Sequence, residues 1–223
     1  MTYSVKEIFY TLQGEGGQAG MPAVFCRMAG CNLWSGREAD RAQATCRFCD
    51  TDFVGTDGTL GGKYPTATAL AEQVAALWPA HDTAHRLVVL TGGEPLLQVD
   101  TALIDALHAQ HFRIAMETNG TLPAPPGIDW LCVSPKAGAD WVQQSGQELK
   151  VVWPQAGLDL DTLAATGQFT HRLLQPLDPS ALPRQPRQLK GQAQNPLDLC
   201  IAHCMQDPRW RLSLQTHKIS GIR

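Results

Sequence analysis

The order of apolar and polar residues in the first third of the chain predicts two strands, a loop and a helix. Residues 5–10 and 23–28 are short apolar segments typical of strands. A polar, loop-like insert follows at residues 34–45. Thr66 is then predicted to cap a helix whose apolar residues lie on one face: Leu70, Val74, Leu77 and Trp78.

Strands and helices alternate in the rest of the chain. The spacing of Leu103, Ala106 and Leu107 predicts one helix, and residues 196–205 predict another. Strands are predicted at residues 86–90, 112–116, 130–134, 149–153, 169–174 and 210–215. Continuous apolar strands that alternate with amphipathic helices indicate an α/β fold, in which helices cover a parallel sheet.

The length of the chain limits how far such a sheet can close. A complete eight-fold barrel usually needs about 250 residues, whereas the chain has 223. We therefore predict an incomplete, open TIM-type barrel. The proline-rich residues 182–196 are predicted to form a surface connection. Because no hinge-like linker divides the sequence, we expect one domain over residues 1–223, with an insert at about residues 32–45.

Composition narrows the class of protein. Lys and Arg number 18 against 21 Asp and Glu, and this balance excludes a strongly basic nucleic-acid-binding protein. The sequence has no apolar run long enough to suggest a membrane span, and its first residues lack the pattern of an export signal. We therefore expect a cytoplasmic protein that contacts neither nucleic acid nor membrane directly, and whose cysteines stay reduced.

Three of the cysteines are spaced as metal ligands. Cys46 and Cys49 form a Cys-x-x-Cys pair, and fourteen residues separate Cys31 from that pair. Structural zinc normally takes four protein ligands, and the sequence offers no obvious fourth. A [4Fe–4S] cluster held by three thiolates leaves one iron free for a substrate or cofactor. On the cysteines alone, zinc, a cluster and coincidence all remain open.

A second motif, Thr91-Gly92-Gly93-Glu94-Pro95, lies at the carboxyl end of the strand predicted at residues 86–90. Ligand sites collect at such strand ends in barrels and open sheets. The glycines would allow the backbone to approach a ligand closely. The glycine carbonyls and the Glu94 carboxylate would offer acceptors to an ammonium group. A tight turn ahead of a helix explains the same residues without a ligand.

Other patterns are assigned to structure. Residues 14–19 satisfy G-x-G-x-x-A, but a predicted strand follows them where a dinucleotide site needs a helix. Cys26 and Cys132 lie in apolar strands and are expected in the core. The residues on one turn of the helix at 196–205 are expected to be buried without a metal: Cys200, His203 and Cys204.

The three cysteines followed by Gly-Gly-Glu-Pro resemble the radical S-adenosylmethionine (SAM) superfamily. The usual first cysteine gap there is three residues. The gap of fourteen here, together with Leu-Gln-Gly-Glu-Gly at residues 12–16, resembles one family within it, the 7-carboxy-7-deazaguanine synthases of the queuosine pathway. The similarity extends over nearly the whole chain, through residues 25–27, 49–53, 117–120, 134–136, 175–178 and 215–218.

The resemblance implies a set of cofactors and the residues that hold them. Cys31, Cys46 and Cys49 would hold a [4Fe–4S] cluster whose free iron chelates SAM, and reductive cleavage would release a 5′-deoxyadenosyl radical. Gly93 and Glu94 would receive the methionine ammonium. The rest of SAM would be bound by Glu117, Ser134, Pro135, Lys136, Gln175, Pro176, Leu177 and Asp178. Thr51 would be the protein ligand of Mg²⁺.

The resemblance also implies a reaction. A carbon–nitrogen lyase would convert 6-carboxy-5,6,7,8-tetrahydropterin into 7-carboxy-7-deazaguanine, with contraction of the ring and loss of ammonia. Arg27 suits the substrate carboxylate, because a guanidinium can bind both oxygens. The other expected substrate contacts are Leu12, Gln13, Gly14, Glu15, Thr91 and the main-chain carboxylate of Arg223.

The implied partners are a low-potential electron donor of the flavodoxin or ferredoxin type and a second copy of the chain in a homodimer. Two alternatives are kept beside this hypothesis. One is a glycyl-radical-activating enzyme, which would have the three-residue cysteine gap. The other is a zinc-binding module without enzymatic activity.

Overall fold

The computed structural model describes residues 2–178 and 195–223, and in these ranges the chain forms one nine-stranded sheet and five α-helices. The strands are β1 (Tyr3–Leu12), β2 (Pro22–Met28), β3 (Gly62–Tyr64), β4 (Leu87–Gly92), β5 (Arg113–Thr118), β6 (Trp130–Val133), β7 (Ser145–Trp153), β8 (Gln168–Pro176) and β9 (Arg211–Leu212). The helices are α1 (Ala67–Ala75), α2 (Thr101–Ala109), α3 (Leu160–Thr166), α4 (Pro196–Gln206) and α5 (Thr216–Ser220).

The sheet is mostly parallel, and its two ends do not meet. The strand order is β3-β1-β2-β4-β5-β6-β7-β8-β9. Strand β1 pairs antiparallel with β2 and β3, whereas every neighbouring pair from β2 to β9 is parallel. The predicted open α/β sheet is therefore confirmed, and β1 and β3 extend it in the antiparallel sense, which the sequence does not predict.

Helices α1 and α2 cover the central strands because each carries an apolar face. Leu70 and Val74 of α1 are fully buried, as are Leu103 and Leu107 of α2. They belong to the same hydrophobic core as residues 87–90 of β4. A strand buried on both faces is apolar throughout, and for this reason β4 has no alternating pattern.

The predicted elements differ from the observed ones mainly at their ends. Thr66 caps α1 as predicted, accepting a hydrogen bond from Ala69 N at 3.1 Å. Strand β4 continues to Gly92, β7 begins at Ser145 and β9 covers only Arg211–Leu212. The sequence does not predict β3, α3 or α5, because elements of three to seven residues carry little periodicity.

Two further predictions concern loops. The insert at residues 34–45 is a loop that contains one 3₁₀ turn, Glu38–Gln43. Of the predicted connection at 182–196, residues 182–194 lie outside the described residues.

The cysteines expected in the core are buried. Cys26, Cys132 and Cys200 are at most 4% exposed, whereas His203 and Cys204 are only partly buried. All seven cysteines are free thiols. In the part of the chain that the structure describes, no helix is both long enough and apolar enough to cross a membrane.

Asp100 joins α2 to β1. Its Oδ1 accepts hydrogen bonds from Leu103 N at 3.0 Å, which caps the helix, and from the buried Tyr3 hydroxyl at 2.7 Å. Asp100→Ala removes the cap and leaves that hydroxyl unpaired, so we expect the free energy of unfolding to fall by about 2–4 kcal/mol. Asp159→Ala, which removes only the cap of α3 at Thr162 N, is the control. Equal urea midpoints for the two variants would contradict the double role of Asp100.

Candidate functional site

A cavity of about 420 Å³ lies on the sheet toward the carboxyl ends of its parallel strands. Parallel strands end at one edge, so residues distant in sequence meet there. The predicted site residues that line it are Leu12, Gln13, Gly14, Glu15, Arg27, Cys31, Cys46, Cys49, Thr51, Thr91, Gly93, Glu117, Ser134, Lys136, Gln175, Pro176, Leu177, Asp178 and Arg223. Glu94 and Pro135 are not among the lining residues.

Leu12, at the end of β1, pairs with Pro22, at the start of β2. The loop after β1 therefore begins at the edge where the parallel strands start, and it reaches the cavity from that edge. A carboxylate of β7 holds this loop in place. Glu148, which is 2% exposed, accepts hydrogen bonds from Gly17 N at 2.9 Å and from Trp130 Nε1 at 3.0 Å. The loop thereby presents Gln13 to the interior of the cavity.

The three spaced cysteines share one wall. A hydrogen bond from the Cys46 thiol is the main reason why the pKa of Cys49 falls to about 6, and the Thr51 N–H acts in the same direction. The same hydrogen bond, together with burial, raises the pKa of Cys46. Burial raises the pKa of Cys31, although Leu33 N donates to its Sγ at 3.4 Å. The wall therefore carries one thiol that ionises readily beside two that do not.

The insert braces the loop that carries Cys49. Arg41 Nη1 donates to the carbonyl of Arg47 at 3.0 Å and to the carbonyl of Cys49 at 2.9 Å. The guanidinium of Arg41 also lies 4.0 Å from the centre of the Trp34 ring. Arg41 thus holds the Cys-x-x-Cys segment in place, and Trp34 of the same insert lines the cavity.

Gly92 and Gly93 permit close contact between β4 and the chain that carries Cys31. Gly92 has a φ of 149°, which L residues rarely adopt, and a Cβ there would lie 2.3 Å from the Met28 carbonyl oxygen. A Cβ on Gly93 would lie 2.1 Å from the Gly30 carbonyl oxygen and 2.8 Å from Cys31 Cβ. These glycines therefore set the distance between the motif and the first cysteine.

Glu94 is completely buried and bonds to the chain itself. Its Oε1 accepts from Thr118 Oγ1 at 2.7 Å and from Leu96 N at 3.0 Å, and its Oε2 accepts from Asn119 N at 2.7 Å. Burial raises the pKa of Glu94, and these hydrogen bonds oppose that effect. The side chain ties the end of β4 to the end of β5, and its role toward an ammonium group stays a prediction.

One side of the cavity carries two guanidinium groups around one carboxylate. Arg27 Nε donates to Glu7 Oε1 at 2.9 Å, and Arg223 Nη2 pairs with Glu7 Oε2. Arg223 also lies over the ring of Phe9, 4.5 Å from its centre, and its main-chain oxygen accepts from Thr11 Oγ1 at 2.9 Å. The three charged side chains of this group, Arg27, Arg223 and Glu7, carry a net positive charge.

The other side carries Lys150, a residue that the sequence analysis missed. Lys150 Nζ lies 2.6 Å from Glu15 Oε2 and 3.5 Å from Glu117 Oε1. The available signal was a charged residue inside the apolar segment 149–153, since lysine is almost never buried unless it is paired.

Two further lysines line the cavity at the ends of β6 and α5. Lys136 Nζ donates to the Ser134 carbonyl at 2.6 Å and to Ser134 Oγ at 2.7 Å. Lys218 Nζ contacts Asp50 Oδ2 at 2.5 Å and Asp178 Oδ2 at 2.6 Å. Lys218 thereby links Asp50, which follows Cys49, to Asp178, which lies just after β8.

The described ranges, 2–178 and 195–223, contain no three His, Cys, Asp or Glu side chains arranged to hold a metal ion. A [4Fe–4S] cluster does not need three side chains around a single metal ion, because each thiolate binds a different iron atom of the cluster.

Comparison with known proteins identifies the class. Residues 40–150 match the family model described as Radical SAM superfamily, and this match with the cysteine-lined cavity on an open parallel sheet defines a radical SAM protein. The solved structure of QueE from Escherichia coli is similar with a TM-score of 0.65 at 27% identity, covering 97% of this chain and 95% of that one.

Sequence relatives identify the family. The chain is 58% identical to the 7-carboxy-7-deazaguanine synthase of Bradyrhizobium diazoefficiens and 59% identical to that of Burkholderia multivorans, each over 100% of both chains. The chain belongs to the family of 7-carboxy-7-deazaguanine synthases.

The contacts of Glu94 predict how much it stabilises the fold. Glu94→Ala leaves the Asn119 N–H and the Thr118 hydroxyl buried without this acceptor, so we expect the free energy of unfolding to fall by about 3 kcal/mol or more. Glu94→Gln keeps one carbonyl acceptor and should lose about half as much. Urea unfolding measures both. An ordinary surface substitution changes the free energy of unfolding by no more than about 0.5 kcal/mol. Changes that small in both variants would contradict this role of Glu94.

Proposed function

We propose that the chain converts 6-carboxy-5,6,7,8-tetrahydropterin into 7-carboxy-7-deazaguanine with loss of ammonia, as a SAM-dependent carbon–nitrogen lyase. The single observation that supports this most strongly is that Cys31, Cys46 and Cys49 line the same cavity as Arg27 and Glu15. A thiolate-bound centre and a substrate can therefore occupy one cavity. The product is the one after which the related 7-carboxy-7-deazaguanine synthases are named.

The residues present fit a [4Fe–4S] cluster and SAM. Among the described residues that line the cavity, three are cysteines, which suits a cluster with one open iron. When bound, these groups supply a low-potential electron and radical chemistry for hydrogen abstraction. Of the chain's own residues, Cys31, Cys46 and Cys49 hold the cluster.

The SAM residues are proposed as the resemblance implies them. Gly93 and Glu94 bind the methionine ammonium through acceptors, and Lys136 offers a positive charge to the carboxylate. The ribose and adenine lie among the remaining predicted residues, most of which line the cavity: Glu117, Ser134, Pro135, Gln175, Pro176, Leu177 and Asp178.

The polarity of the cavity suits this substrate. Its carboxylate pairs with Arg27, beside which the Arg223 guanidinium adds a second positive charge. The ring edge lies against the loop of residues 12–15, and Thr91 borders the same volume. Binding at both ends of a small rigid ring orients its reacting carbon and excludes water from it.

Magnesium, partners and location complete the proposal. Thr51 supplies a hard hydroxyl ligand to Mg²⁺ from a position two residues after Cys49. The family resemblance supports a homodimer, a flavodoxin- or ferredoxin-type electron donor, and one radical SAM domain over residues 1–223. Seven free thiols support a reducing, cytoplasmic location. The full-length relatives favour the synthase over a glycyl-radical-activating enzyme, and the radical SAM match favours it over a zinc module.

Loss of a single cysteine tests the cluster assignment. Cys31→Ala, Cys46→Ala and Cys49→Ala are each expected to remove nearly all bound iron and sulfide from protein purified without oxygen, because two thiolates hold a cluster poorly. Cys204→Ala is the matched control, since Cys204 is partly exposed on α4. Iron retained by one of the three variants, or lost from the control, would contradict the assignment.

Turnover tests the function itself. We expect anaerobic protein with SAM and a reductant to form 7-carboxy-7-deazaguanine and release ammonia from the carboxylated tetrahydropterin, as detected by mass spectrometry. Added Mg²⁺ should increase the rate, and Thr51→Ala should need more Mg²⁺ for the same rate. No product from cluster-loaded protein would reject the proposed function, and equal rates with and without Mg²⁺ would reject the metal assignment.

A further inference from the structure

Lys150 lies at the centre of a buried charge cluster that borders the cavity. Its side chain is 4% exposed, and its ammonium contacts carboxylates from two separate parts of the chain: Glu15, in the loop after β1, and Glu117, near the end of β5. Both carboxylates line the cavity, as Lys150 does. The ammonium therefore connects two acidic groups that are distant from each other in the sequence.

Each carboxylate is also fixed by an amide side chain. Gln215 Nε2 donates to Glu15 Oε1 at 2.8 Å, and Gln13 Nε2 donates to Glu117 Oε1 at 2.9 Å. The Gln13 amide oxygen in turn accepts from Glu15 N at 3.1 Å. The two carboxylates thus have defined positions, and Lys150 is the only cation among these contacts of the described residues.

The charge balance of the cluster explains why this ammonium matters. Burial alone would raise the pKa of Glu15, but the attraction of Lys150 and the hydrogen bonds from Lys150 and Gln215 lower it to about 2. Without Lys150, two carboxylates would face each other in a buried place, which favours protonation or separation. The nearby Glu148 is engaged by Gly17 N and Trp130 Nε1.

We propose that Lys150 is a positioning residue, whose ammonium holds Glu15 and Glu117 as paired acceptors for the ring N–H and 2-amino group of the substrate. Glu117 then binds the substrate rather than SAM, to which the family resemblance assigns it. The inference rests on the proposed function, because the pterin and the deazaguanine product share a 2-amino-4-oxopyrimidine ring with adjacent donors. Two fixed anionic acceptors match those donors, and an analogue without the 2-amino group leaves one acceptor unmatched.

Ligand discrimination is the measurement that separates this role from a purely structural one. Anaerobic holoprotein is titrated with 7-carboxy-7-deazaguanine and with 7-carboxy-7-deazahypoxanthine, which lacks the 2-amino group. A hydrogen bond to a charged acceptor predicts that the original chain prefers the first ligand by about tenfold or more. In Lys150→Met the preference should fall to about threefold or less, because the acceptors lose their charge or their position.

Lys6→Met is the matched control. Lys6 is also a poorly exposed lysine, 2.9 Å from Asp52 and 2.7 Å from Asp57, but it does not line the cavity. Its preference ratio should equal that of the original chain. An unchanged ratio in Lys150→Met, or an equal loss in Lys6→Met, would overturn the proposal.

Two carboxamide variants keep the test decisive if Lys150→Met fails to fold. Glu15→Gln and Glu117→Gln preserve side-chain shape and remove one anionic acceptor each, so each should reduce the preference for the ligand with the 2-amino group. If both variants keep the preference of the original chain, the proposal is overturned. Turnover of the tetrahydropterin is measured on the same preparation. Turnover with an unchanged ratio rejects only the role of Lys150, whereas absence of turnover and of binding by the original chain rejects the proposed function.

Discussion

The close packing of Gly92 and Gly93 against the backbone of residues 28–31 is the contact on which the rest of the site depends. It requires two residues without Cβ atoms, because a side chain at either position would overlap the carbonyl oxygen of Met28 or Gly30. Glu94 N then donates to the Gly30 carbonyl at 2.9 Å. This contact places the first cysteine beside the end of β4, and the buried Glu94 carboxylate extends the connection to β5.

Three networks of ion pairs border the cavity, and in each of them one charged side chain pairs with two side chains of opposite charge. Glu7 is shared by two arginines, Lys150 by two glutamates and Lys218 by two aspartates. The first group has an excess of positive charge and the others an excess of negative charge. Such groups are preorganised before a ligand arrives, so a molecule with a carboxylate at one end and N–H donors at the other can bind in one orientation.

Much of the fold could be predicted from periodicity. Of the candidate site, the spacing of residues indicated only the three cysteines and the motif at residues 91–95, and the family resemblance implied most of the others. The apolar strand β4 and the faces of α1 and α2 carry strong local patterns. Strand β3 and helix α5 do not, since elements of three and five residues carry little periodicity. The site prediction missed Lys150 because its importance arises from Glu15 and Glu117, which are near it only after folding. The burial of Glu94 could likewise not be read from its neighbours in sequence.

We propose that one cavity holds a three-cysteine cluster and the substrate together. The most direct measurement is a crystal structure of the anaerobic holoprotein with SAM and product, with iron located by its anomalous scattering. The account predicts iron bonded to Sγ of Cys31, Cys46 and Cys49, with the product between Arg27 and Lys150. Iron held by other cysteines, or product bound outside this cavity, would contradict it.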